Sequence, residues 1–242
     1  MKNVYVDNNA TTAIAPEVLA AMQPYLTSDY FNPSSMYDAA RSSAEAIESA
    51  RRTIARCLGD IDPDQIIFTG SATESNNAAL FGTVQANPER RHVITTTIEH
   101  PSVLEIGKEL ERRGQEVTFL SVDRNGELVL DDYVRALRSD TLVVSIMMAN
   151  NETGVCYPVA EMARIAKETD PGIVVHTDAT QALGKLPVDL QGDLQHVDLL
   201  SFSGHKIHAP KGVGCLFVRH GTCWRPFILG GHQEMGRRAG TE

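Results

Sequence analysis

The chain has 242 residues, of which 22% are charged, and a formal net charge of −9 at pH 7. The length exceeds one average domain and allows a large core. The acidity, with no basic cluster longer than Arg51-Arg52, Arg90-Arg91 or Arg112-Arg113, excludes an electrostatic footprint for nucleic acid or an acidic membrane.

Those arginine pairs read as solvated helix ends. No stretch approaches the ~18 uninterrupted apolar residues of a membrane span, and Met1 to Val6 reads as an immediate strand instead of a cleavable signal, so a cytoplasmic location is expected. Residues 1–15 form an N-terminal arm. Pro16 followed by Glu17 opens a helix, with proline in the first turn and an acid against the dipole. From Tyr37 to Leu58, Ala40, Ala44, Ile47, Ala50, Ile54 and Leu58 recur at helical spacing, which predicts one long amphipathic helix with Arg41, Glu45, Glu48, Arg51 and Arg52 on its polar face.

Beyond it the pattern alternates. Strands are predicted at Gln65–Thr69, His92–Thr97, Glu116–Val122, Thr141–Met148, Ile173–Thr177, Val197–Ser203 and Gly214–Arg219. Helices are predicted at Thr73–Ala86, Ser102–Arg113, Asp131–Arg138 and Val159–Glu168. Continuous Val/Ile/Leu strands between amphipathic helices give the fold class: α/β, a large mostly parallel sheet with helices on both faces. One α/β domain over 16–219 is expected, followed by a glycine-rich segment over 220–242. The four cysteines have no CxxC spacing and read as reduced. Cys57 is assigned to an inward helix face. His205 and His208 lack the further ligands of a zinc site, so no metal is expected.

In open parallel sheets the ligand sits beyond the carboxyl ends of the strands, so the residues following each strand are the candidates. Lys206 follows one predicted buried strand and Asp178 another. A lysine that loses hydration has a lowered pKa and can act as a free amine toward an aldehyde. An acid and a lysine on successive strand ends suit pyridoxal 5′-phosphate, the acid for the ring nitrogen and the lysine for the aldehyde carbon. Thr69-Gly-Ser-Ala-Thr-Glu-Ser75 opens a helix with free N–H groups for a phosphate, and Thr73, Ser203 and His205 are placed to supplement it. Alone, that run is equally the grammar of an ordinary helix cap. His100 suits stacking over a ring and carrying protons, or a solvated loop before Pro101; Asn151 and Gln181 suit a ring oxygen, or a turn and a cap.

These runs, with Asn8-Asn-Ala-Thr-Thr12, Asn32-Pro-Ser-Ser35, Asn150-Asn-Glu-Thr-Gly154, Pro210-Lys-Gly-Val-Gly214, Gly230-Gly-His-Gln-Glu234 and Arg237-Arg-Ala-Gly-Thr241, resemble in order the motifs of cysteine desulfurases of the nitrogen-fixation type, within the class-V aminotransferase superfamily. The resemblance implies a fold-type-I pyridoxal phosphate enzyme that takes sulfur from L-cysteine, leaves alanine and passes a persulfide to an iron–sulfur scaffold. It implies that Lys206 carries the cofactor and His100 stacks on it. It places Asp178 at the ring nitrogen, Asn151 and Gln181 near the ring oxygen, and Ala72, Thr73, Ser203 and His205 at the phosphate. Thr241 would reach the phosphate of a neighbouring subunit in a homodimer.

In that family the nucleophilic cysteine and the arginine for the substrate carboxylate lie in a small C-terminal domain. The expectation is that this sequence stops before it and does not turn over alone. A selenocysteine lyase, another member of the superfamily, or a non-catalytic split subunit are the other readings.

Overall fold

Seven strands form one sheet in the computed structural model, which describes residues 4–242. In chain order the elements are α1 (Pro16–Thr27), α2 (Arg41–Cys57), β1 (Ile66–Thr69), α3 (Ala72–Ala86), β2 (His92–Thr96), α4 (Pro101–Arg112) and β3 (Glu116–Leu120). Then come α5 (Leu130–Ala136), β4 (Thr141–Ser145), α6 (Val159–Thr169), β5 (Val174–Asp178), β6 (Leu199–Ser203) and β7 (Gly214–Val218). The strand order is β1-β7-β6-β5-β4-β2-β3, with β7 antiparallel to both neighbours and the remaining pairs parallel.

Successive strand residues enter opposite cores. Ile66, Ile94, Val144, Val175, Leu200 and Phe217 pack with Ala55 of α2, Tyr133 of α5 and Met162 of α6. Their chain neighbours Ile67, Val93, Val143, Val174, Leu199 and Leu216 pack with Leu80 of α3 and Ile106 of α4. Period-two alternation with both faces covered explains why the strands read as unbroken apolar runs.

Every predicted strand from Gln65 onward is present, with shifted ends. β4 closes at Ser145, although Ile146 N and Met148 N still donate to His176 O and Asp178 O of β5. On its other side β2 has ended, and the Glu99 carboxylate accepts from Met147 N at 2.9 Å in place of a strand. β5 runs one residue past its predicted end, which makes Asp178 its last residue.

Four expectations are corrected. Val4 to Val6 is exposed and not a strand, and Met1 to Asn3 lies outside the described residues. The helix predicted from Tyr37 starts as a 3₁₀ turn at Asp38–Ala40 and is α-helical only from Arg41. Cys57 is exposed. Arg51 is not a solvated helix end: it is 2% exposed. Its guanidinium reaches Ile66 O at 2.6 Å and Glu234 Oε2 and Oε1 at 2.7 and 2.9 Å, and Glu234 Oε2 also accepts from Phe68 N at 2.8 Å. A guanidinium leaves water only with such partners, and this one lies 183 positions away in sequence.

The segment after β7 lies on the sheet's helical cover. Trp224 Nε1 donates to Ala78 O at 2.6 Å, and Arg225 N to Gly82 O at 3.2 Å. Gly82 permits this, since a Cβ there would lie 2.3 Å from Trp224 Nε1. The N-terminal arm is fastened at the other end of the site: Thr12 N and Oγ1 both donate to His205 O at 2.9 Å.

Candidate active site

The carboxyl ends of β5 and β6, the head of α3 and the arm enclose a cavity of about 490 Å³. Its wall includes Ala72, Thr73, His100, Asn151, Asp178, Gln181, Ser203, His205 and Lys206, so the structure gathers all the predicted site residues but Thr241 into one place. Thr241 lines a different cleft, with Tyr25, Phe31 and Gly70.

Asp178 is brought in by the last hydrogen-bonded register of β5, opposite Ser201 of β6. Its carboxylate is buried, with Oδ2 accepting from Asn76 Nδ2 at 2.8 Å and Oδ1 from Thr180 N at 2.9 Å. The sequence reading missed Asn76. This fully buried amide on α3 also donates to Ser102 Oγ at 2.9 Å, and Ser102 Oγ shares a 2.8 Å hydrogen bond with His100 Nδ1. A continuous path therefore joins the acid at the floor to the imidazole at the rim. The available signal was an asparagine, a poor interior helix former, on the buried face of a predicted helix.

Lys206 sits in the 3₁₀ turn Gly204–Lys206 directly after β6. Its Nζ donates to Ala10 O at 2.9 Å and to Asn9 O. Burial lowers the Lys206 amine below the usual lysine range and nearby Lys185 adds to this, with Asp7 and Asp178 opposing. His205 is lowered as well, by burial first and then by Lys206. Thr11 Oγ1 holds its Nδ1 at 3.1 Å.

The head of α3 forms the remaining wall. Ser71 Oγ caps Glu74 N at 3.1 Å, leaving the N–H groups of Ala72 and Thr73 in the first turn, where no helical carbonyl precedes them. β7 passes close behind: a Cβ on Gly214 would lie 2.4 Å from the Ser71 carbonyl carbon. Beneath the His100 loop, Glu99 is buried and its carboxyl is pushed up to about 8, chiefly by loss of hydration. His176, inside β5, is lowered to about 4 by burial and bridges Ser145 Oγ and Ser201 Oγ at 2.8 and 3.0 Å.

The donor set fits pyridoxal phosphate. An amine, a buried carboxylate with only neutral hydrogen-bond donors, and a helix head flanked by Ser203 and His205 are the three kinds of partner this cofactor needs. Thr180 is part of the cavity wall, and its Oγ1 is buried without a hydrogen-bond partner in the protein. For a metal, Asp62, Asp64 and His220 bring three ligating atoms within 4.8 Å of one another, but all are exposed and none lines the cavity. Among the described residues no helix is long and apolar enough to cross a membrane.

A lysine beyond one strand and a buried carboxylate closing its neighbour, on a mostly parallel sheet covered on both faces, are the arrangement that suits a pyridoxal phosphate-binding protein. The chain belongs to the class-V aminotransferase family, whose pattern matches residues 4–240 and whose members are known as pyridoxal phosphate-dependent proteins.

Among curated relatives, a cysteine desulfurase of Trichormus azollae is 49% identical over the whole chain, and the cysteine desulfurase NifS of Azotobacter vinelandii 48%. The chain spans 59% of the length of each. Among solved structures, a NifS-like protein superposes with a TM-score of 0.96 at 41% identity, covering all of this chain and 66% of that one. SspA in complex with cysteine does so with a TM-score of 0.93 at 38% identity, covering 98% of this chain and 68% of that one.

Proposed function

We propose that this chain is the cofactor-binding part of a pyridoxal phosphate-dependent cysteine desulfurase. The observation that carries the reading is the single cavity that holds Lys206, Asp178, His100 and the head of α3 together. Relatives that are cysteine desulfurases, and a structural neighbour solved in complex with cysteine, support L-cysteine as the substrate. The cofactor, when bound, supplies an aldehyde for amines and a protonated ring that withdraws electrons from the substrate.

The chain's own residues set the conditions for that chemistry. Lys206 is the attachment point, its amine kept competent by partial burial. Asp178 would hold the ring nitrogen, with Asn76 and Thr180 N–H, both neutral donors, fixing its carboxylate from behind. His100, held through Ser102 Oγ at Nδ1, would pack against the ring and leave Nε2 to carry a proton. Ala72, Thr73, Ser203 and His205 cradle the phosphate, and Asn151 and Gln181 serve the ring oxygen. Among the described residues no cysteine and no arginine lines the cavity, and the sulfur-accepting thiol and the cation for the substrate carboxylate are assigned to a part of the protein outside these walls.

Thr241, in its separate cleft, is assigned to the phosphate of a second copy, which makes the working unit a homodimer in the cytoplasm. Its sulfur goes to an iron–sulfur scaffold. In domain terms, 1–15 is an arm, 16–219 the cofactor unit and 220–242 a connecting segment.

Borohydride reduction of the yellow protein should fix the cofactor's mass on the Lys206 peptide, and L-cysteine with a reductant should give alanine and sulfide from the protein that carries this chain. A label on Lys185 or Lys211 instead would overturn the assignment.

A further inference from the structure

Lys185 has no role in the reading so far, yet it stands directly behind the site. Its Nζ donates to Gln181 Oε1 at 2.8 Å and to Asn9 Oδ1 at 3.1 Å. Gln181 Nε2 donates to Asn9 O at 2.9 Å, and the same carbonyl accepts from Lys206 Nζ. Two lysine side chains thus converge on Asn9, Lys185 at its side chain and Lys206 at its backbone carbonyl, and Gln181 links Lys185 to that same carbonyl. A lysine ammonium can only donate, so the Gln181 carbonyl must turn toward Lys185 and its NH₂ toward Asn9 and the cavity. An isolated glutamine has no such fixed orientation.

We infer that Lys185 is a positioning residue of this site: it orients the Gln181 amide and holds a second positive charge beside Lys206, so that Lys206 meets an aldehyde as a free amine. Paired cations of this kind are a general way of activating a nucleophilic lysine. The inference rests on the assignment of Lys206 as the attachment point. The other titratable groups facing Lys206 are Asp7 from the arm and Asp178 from β5, which favour the ammonium, and His205 in its own turn. Lys185 is the cation that counters those two acids. Because Lys185 is itself exposed, its influence passes partly through water and weakens with salt.

The test is trace acetylation with acetic anhydride of the 242-residue chain after hydroxylamine has stripped any bound aldehyde. The Lys206 peptide is read by mass spectrometry from pH 6 to 11, with Lys108 as an internal reference. In Lys185→Met the midpoint of Lys206 labelling should rise by about 0.5–1 pH unit, and its labelling at pH 8 should fall roughly three- to tenfold. Lys185→Arg should restore the parent midpoint, and Lys185→Gln, which keeps a donor for Gln181 without charge, should follow the methionine variant. In 1 M salt the difference should shrink.

Equal midpoints in parent and Lys185→Met, or a Lys185→Gln variant that matches the parent, would overturn the inference. Each variant replaces an exposed side chain, and a circular dichroism melt confirms that it is folded. Borohydride labelling at a different lysine would instead defeat the attachment assignment while leaving the midpoint comparison readable.

Discussion

Asp178 and Glu234 are both buried carboxylates, but their surroundings differ in kind. Burial works to raise the Glu234 carboxyl, and Arg51 outweighs it, holding it below the usual range through a two-pronged contact. Asp178 meets an amide and a backbone N–H, donors that bind a charge without cancelling it. An acid supplied with its own cation is a fastener. One that faces a cavity with neutral donors behind it is left to be neutralised by what enters. The pair therefore separates an acid neutralised within the fold from one left open to a ligand, on local chemistry alone.

The comparison can be broken most forcefully at the fastener. Arg51→Met leaves Glu234 buried without its cation and should lower the unfolding free energy by ~3–5 kcal/mol in urea titrations, with cofactor affinity unchanged in the protein that remains folded. Adding Glu234→Gln should recover part of that loss; strict additivity would show that the two residues do not act as a pair.

Asp178→Asn should do the reverse. The substitution keeps the shape, and urea stability should stay within ~1 kcal/mol, whereas removing a charge-assisted contact to the ring should weaken cofactor binding roughly 10- to 150-fold. Unchanged affinity in an equilibrium titration would end the functional reading of this acid.

Gly214→Ala sharpens the contrast from behind the phosphate cradle. The added methyl meets the Ser71 backbone and must displace the head of α3, which should cost ~1–3 kcal/mol of stability and also weaken phosphate binding. An inorganic phosphate competition assay would read the second effect.

Glu99 is an acid of a third kind, buried with neither a cation nor a cavity to face, and pH is the probe for it. Its folded-state carboxyl titrates near 8 against an ordinary 4.5, so the fold binds a proton that the unfolded chain releases. That contribution is complete below about 4.5 and declines as pH climbs through 8. Glu99→Gln mimics the protonated acid, and its melting temperature should fall less steeply between pH 5 and 8 than the parent's. Parallel slopes would mean that Glu99 is ionised in the fold.

The strand ends were legible because a sheet buried on both faces writes itself as runs such as Ile66-Ile67 and Val174-Val175, and the residues that follow such runs are few. Lys206 and Asp178 could be found that way. Asn76 left only the weak signal of a polar residue on a buried helix face, since an amide there has the same appearance whether it holds a carboxylate or caps nothing. Arg51 was misread for a different reason. Helical periodicity placed it with Glu45 and Glu48, and only the return of the chain to Glu234 turned that position inward. Lys185 likewise acquires its meaning from Asn9, 176 positions earlier. Long-range polar pairing leaves no periodic trace.

The Arg51–Glu234 pair has one more consequence. β1 is the outermost strand beside β7, and two of its backbone groups, Ile66 C=O and Phe68 N–H, are taken up by Arg51 and Glu234. Guanidinium and carboxylate together supply the donor and the acceptor that an eighth strand would have brought. They close the sheet's edge to any other chain seeking to extend it. Loss of either partner would unmask a templating border, and the visible result would be self-association through strand addition as well as a softer fold.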